Sequence, residues 1–170
     1  MPEPPERNLA LELVRVTEAA ALAAGRWMGR GDKASVADAA ISAMHVILSQ
    51  IEMDGLLVIG EGDRETFPIL FNGEHLGLAE RPQLDVAVEA VDGIRLTAEG
   101  WPGAISAAAL TERGSLFDPG PLRYMEKLAV GPEARDVIDL NVPVAENLAR
   151  IAQAKRQRID NLTVMVLDRP

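Results

Sequence analysis

Hydrophobic positions along the chain change period twice, and those changes mark out its elements. From Asn8 to Met28, Leu9, Leu13, Val16, Ala20 and Ala23 recur at spacings of three and four, the pattern of an amphipathic helix. Asn8 suits the cap of that helix, and Gly29 with Gly31 suits its end. A second helix is predicted over Val36–Gln50, with Ala40, Met44, Ile47 and Leu48 on its inner stripe. The run Leu56-Leu57-Val58-Ile59, bounded by Gly55 and Gly60, then reads as a buried strand. Leu70-Phe71 before Asn72-Gly73 predicts a strand entering a hairpin turn. Leu84–Val88, Ala104–Leu110, Tyr124–Val130 and Leu162–Leu167 are further strand expectations. Val144–Ala154 is predicted to be a helix with Pro143 at its first turn.

This order of elements implies a mixed α/β, layered domain over residues 8–170, preceded by a loose proline-rich lead-in at 1–7. No internal repeat or low-complexity tract interrupts it. The terminal apolar segment Leu162–Leu167 is expected to leave an exposed sheet edge unless a partner pairs with it.

Composition narrows the chemistry. At 170 residues and 48% hydrophobic content, the chain can build one real core. The absence of cysteine excludes disulfides, thiolate metal sites and a cysteine nucleophile, and fits a cytoplasmic setting. A net charge of −9 argues against a nucleic-acid partner. The sequence Met1–Arg7 lacks the apolar core of a signal peptide, and no run approaches the ~18 apolar residues of a membrane span. With only His45 and His75 present, a metal site would rest on oxygen ligands, which favour magnesium, manganese or calcium.

The acidic positions at strand ends carry the candidate chemistry. Asp38 lies near the start of the second helix, Glu61 between Gly60 and Gly62, and Glu89 and Asp92 flank a bend ending at Gly93. Glycines let the backbone approach a ligand closely. Carboxylates so placed can hold paired metal ions for phosphoryl transfer. On spacing alone, solvated groups or amide caps are the commoner reading of such positions, because short acidic motifs are not specific.

A set of motifs in order goes further: Asn8–Ala24, Gly29–Lys33, Ala37-Asp38, Met53–Gly55, Val58–Gly62, Tyr124–Lys127, Val130–Pro132, Asp139–Asn141, Pro143–Asn147 and Leu167–Pro170. Together they resemble the class II fructose-1,6-bisphosphatase family, part of the sugar-phosphatase superfamily. The resemblance spans the chain from Arg7 onward and implies the N-terminal half of an α/β/α/β/α sandwich. It implies manganese- or magnesium-dependent removal of the 1-phosphate of fructose 1,6-bisphosphate, a gluconeogenic step.

By that resemblance Asp38 and Glu61 are ligands of one metal, and Glu89 and Asp92 of the other. Asp92, Gly93 and Tyr124 are sugar-phosphate contacts, and Asp63 and Glu65 position or deprotonate water. Tyr124 equally fits a core aromatic with a wet tip. The resemblance also marks departures. The superfamily's metal loop reads Asp-Pro-apolar-acidic-Gly-Thr/Ser, whereas this chain has Glu89-Ala90-Val91-Asp92-Gly93-Ile94. Glu89 is a methylene longer, Ala90 lacks the stiffening ring, and Ile94 lacks a hydroxyl to orient water. Thr66, Phe67 and Gly103 differ from the pattern as well. The family's second half, with a further metal ligand and most sugar-phosphate contacts, has no counterpart in these residues. The expectation is weak activity, with a non-catalytic subunit as the alternative. Such a subunit would associate with itself or with a full-length phosphatase subunit.

Overall fold

The computed structural model describes residues 8–120, 122 and 125–166, so the lead-in, Tyr124 and residues 167–170 lie outside it. The chain divides into two compact units, Met1–Gly120 and Pro121–Pro170.

The first unit begins with α1 (Leu9–Gly25) and α2 (Lys33–Leu48). Asn8 caps α1 as expected, its side chain accepting from Ala10 N at 3.0 Å. Helix α2 starts three residues before the predicted Val36. The reason is Asp32, whose carboxylate accepts from Ser35 N at 3.0 Å and Ser35 Oγ at 2.6 Å. Strands β1 (Asp54–Ile59), β2 (His75–Leu76), β3 (Gln83–Asp92) and β4 (Ile105–Glu112) form one sheet in the order β2-β1-β3-β4. β1 and β3 run parallel, and the outer pairs are antiparallel. A short helix, α3 (Ile94–Glu99), joins β3 to β4.

Helices α1 and α2 pack together and onto one face of this sheet. Cross-strand partners share a face, so Val86 with Leu110 and Val88 with Ala108 meet the helices. Around them sit the fully buried Val16, Ala20, Ala40, Met44, Leu48 and Leu57. Asp85, Ala87 and Glu89 face the other way, opposite Thr111, Ala109 and Ala107.

At the end of the sheet where β1 and β3 begin, Asp85 is buried at 2% exposure. Its carboxylate accepts from Gly114 N at 2.8 Å and Leu116 N at 3.1 Å, and it pairs with Arg113 at 3.5 Å. Arg113 also donates to the Asp54 carbonyl at 2.7 Å and pairs with the Asp54 carboxylate at 3.3 Å. Arg113→Met leaves the Asp85 charge buried without its cation. Urea unfolding should show a loss of about 2 kcal/mol. Arg158→Ala, which breaks only an exposed pair with Asp160, should stay within ~0.5 kcal/mol of wild type.

Several expectations change. Leu70-Phe71 is not a strand: Leu70 is fully buried at φ 52°, and its carbonyl accepts from Gly62 N at 2.8 Å. The Asn72-Gly73 turn is real, but the short strand that follows it is β2, paired with β1. β3 extends four residues past the predicted Val88, so Glu89 and Asp92 belong to the strand rather than to a bend. α3 was not expected. At six residues it is too short to show a period, and it is marked only by Gly93 and Gly100, both at positive φ.

In the second unit, α4 (Val144–Ala154) matches the predicted span, with Pro143 just before its first residue. Buried Asn147 accepts from Asp139 N at 2.9 Å and donates to Asp139 O at 2.7 Å, fastening the 139–142 loop to the helix. That contact gives the Asp139–Asn141 and Pro143–Asn147 motifs a structural reason. Residues 125–130 and 162–166 are not strands, against both expectations. An apolar run has strand propensity but becomes a strand only against a partner.

Candidate metal and phosphate site

The site lies where the parallel strands β1 and β3 end, the edge at which α/β sheets commonly place ligands. Glycines build its first wall. Gly60 N donates to Asn72 Oδ1 at 2.8 Å, and Gly62 is bridged to Phe71. A side chain at either glycine would overlap the segment beside it: Leu70 O at Gly60, Ile69 O at Gly62. Glu61 is therefore held between two positions that only glycine fits. Asn72, read in the sequence only as a turn residue, is one of the anchors.

Glu61, Glu89 and Asp92 come together at this edge, and the charges of Glu61 and Asp92 act on Glu89. One Glu61 oxygen accepts a hydrogen bond from the backbone N–H of Ala90. Burial pushes the Glu61 carboxyl above its usual range, partly offset by that bond. Desolvation, then repulsion from Glu61 and Asp92, pushes Glu89 up as well. At Gly93, φ is 107°, and a Cβ there would crowd Ala104 at 3.1 Å and Leu96 Cδ1 at 3.2 Å. Ile94 opens α3 and packs against the core.

Of the other sequence candidates, Asp38 is exposed on α2. Asp63 caps its own turn, accepting from Thr66 N, Glu65 N and Thr66 Oγ1, each at 3.0 Å. Those bonds, led by the Thr66 amide, hold its carboxyl below the usual range and make it a weak base. Glu65 is exposed on the same turn. Tyr124 lies outside the described residues.

Among the described residues, no group of three or more His, Asp or Glu side chains could hold a metal ion. One Glu61 oxygen is already engaged by a backbone donor.

The raised carboxyls have a consequence for stability. A carboxyl whose folded-state pKa is raised adds stability when protonated, at acid pH, and loses it as pH rises through the folded value. Glu89→Gln removes that loss. Thermal melts in chelator should find the variant more stable than wild type at pH 7.5, with the difference closing toward pH 4. A variant less stable than wild type at pH 7.5 would contradict the repulsion at this edge.

A layered α/β domain with paired carboxylates at the ends of parallel strands defines the broad class, an acidic-site α/β protein. The family follows from comparison: a family model described as "Bacterial fructose-1,6-bisphosphatase, glpX-encoded" matches residues 7–170. The chain belongs to that class II fructose-1,6-bisphosphatase family. It is 44% identical over 164 residues to fructose-1,6-bisphosphatase 1 class 2 of Escherichia coli (strain K12), covering 96% of this chain and 48% of that protein. The same figures hold for fructose-1,6-bisphosphatase class 2 of Shigella flexneri. The chain thus spans about half the length of the curated relatives it matches.

Proposed function

We propose that this chain carries the chemistry of its family in attenuated form: hydrolysis of the 1-phosphate of fructose 1,6-bisphosphate, dependent on manganese or magnesium, in a cytoplasmic gluconeogenic setting. Residues 8–170 act in this reading as one phosphatase-like domain, since the family match runs unbroken across both units. One observation supports the attenuation above others. The Ala90 N–H holds Glu61. Proline, expected at that position from the superfamily pattern, has no N–H and would leave both Glu61 oxygens free. Ile94 adds to it by supplying no hydroxyl to orient water.

In this proposal Glu61, Glu89 and Asp92 attract cations to the strand-end edge. The Gly93 backbone contacts the phosphate, and Asp38 and the 63–65 turn serve only if further ligands complete the site. The test is inorganic phosphate release from fructose 1,6-bisphosphate, with manganese and with chelator, by the chain and by Ala90→Pro. Weak chelator-sensitive release that rises in the variant supports the proposal. Release equal in the two proteins argues against it.

A non-catalytic interaction subunit is the second reading. It is favoured by Val164, Met165 and Val166, exposed at 58%, 97% and 79%. Co-sedimentation with a full-length phosphatase of the family would support it.

A further inference from the structure

Glu74 stands just before β2 with its carboxylate turned toward α2. His45 Nε2, in the last turn of α2, lies 2.8 Å from Glu74 Oε1. Both side chains are largely buried. Glu74 Oε2 is buried as well and has no hydrogen-bond partner among the described residues. As a carboxylate Glu74 can only accept, so the shared proton sits on Nε2. A buried carboxylate with one oxygen unpaired is costly, and losing its last donor costs more. Among the described residues that donor is His45. The carbonyl end of α2 favours a cation at this position.

The Glu74 backbone is fixed in the segment that walls the site. Glu74 N donates to Phe71 O at 3.0 Å, and Glu74 O accepts from Leu57 N at 2.9 Å. Gly73 N donates to Leu57 O at 2.7 Å. Further along, Asn72 Oδ1 and Leu70 O accept from Gly60 N and Gly62 N. Residues 70–74 therefore run bonded along 57–62, on either side of the residue that meets the Ala90 N–H, Glu61. The hydrogen-bonded link from this segment to α2 is the His45–Glu74 pair. We propose that His45 is a positioning residue: through Glu74 it fastens the 70–74 segment to α2, and through that segment it sets where the Glu61 carboxylate stands. The role of Glu61 toward cations rests on the function proposed above. Its position does not, so the two can fail separately.

The test is amide hydrogen exchange of the full chain, read residue by residue by NMR where exchange follows the opening equilibrium. Thermal melts confirm that each variant folds. His45→Ala leaves Glu74 without a donor and should speed exchange about tenfold at Gly60, Gly62 and Gly73. Ala90, whose N–H reports on the Glu61 oxygen, should speed up with them. Gly114 N, bonded to Asp85 at the far end of the sheet, should not change. His45→Arg keeps a cation that can engage both Glu74 oxygens, and it should hold all four amides at wild-type exchange. His45→Gln keeps a neutral donor and should fall between the two. Its comparison with His45→Arg carries the test should His45→Ala not fold. Exchange unchanged in the alanine and glutamine variants overturns the proposal. So does a rise that reaches Gly114 equally, which marks a loss of global stability alone. A rise at Gly60, Gly62 and Gly73 with Ala90 unmoved overturns it too, because the segment then does not place Glu61. Failure of His45→Arg to hold these amides would show that a cationic donor opposite Glu74 is not what fastens the segment, and likewise overturns it.

Discussion

Gly62→Ala is expected to destabilise the protein by about 3 kcal/mol, seen as a lower urea midpoint at unchanged slope. The added methyl would overlap Ile69 O and meet Phe67 O at 2.8 Å. Both neighbours are backbone, so neither can turn aside as a flexible side chain would. The 67–72 segment must move, and with it go the Gly62 bond to Leu70 O and the Asn72 bond to Gly60. Leu70 is fully buried, so that shift also opens the core beneath the site. A loss under ~1 kcal/mol would mean that the segment yields easily and does not fix Glu61.

Restoring the superfamily loop, Glu89→Asp with Ala90→Pro and Ile94→Thr, is expected to raise chelator-sensitive phosphate release by ~10-fold to 10²-fold, the scale on which an ångström of displacement acts. Ala90 lies in the irregular stretch of β3 between Glu89 and Asp92, where proline interrupts no regular ladder. The change removes the donor that holds Glu61. Glu89→Asp shortens the reach of the neighbouring carboxylate, and Ile94→Thr returns a hydroxyl to the start of α3. The last step has a cost. Ile94 packs against the core, so the triple variant should be less stable by about 1 kcal/mol. Unchanged release, with manganese present and the fold intact, would place the defect in ligands outside these residues.

Much of the first unit was legible because its signals are local. Asn8 with the stripe of α1, and the apolar run of β1 between glycines, each specify an element without reference to distant residues. α4 in the second unit is similar. Elements that depend on a partner were not legible. Residues 125–130 and 162–166 have the composition of strands, yet the described structure pairs neither. β3 outruns its local signal because its last residues, Glu89 to Asp92, look like a turn until β4 lies alongside and pairs Asp92 with Ile105.

The candidate site divides the same way. The acidic residues and glycines stood out, as did the odd residues Ala90 and Ile94. What they do was hidden. The bond from Ala90 to Glu61 spans 29 residues, and no local pattern encodes it. In sequence Ala90 reads as a loss of stiffness, whereas in the structure it also supplies an N–H that engages Glu61. Asp63 shows the converse. Its place in an acidic segment suggested chemistry, and its three local donors make it the cap of a turn.

The measurement that bears most directly on the account is inorganic phosphate release from fructose 1,6-bisphosphate by the purified wild-type chain, with saturating manganese and again with chelator. The account predicts a rate with manganese barely above the chelated control. Chelator-sensitive turnover on the order of 10 s⁻¹, typical of a competent enzyme, would contradict it.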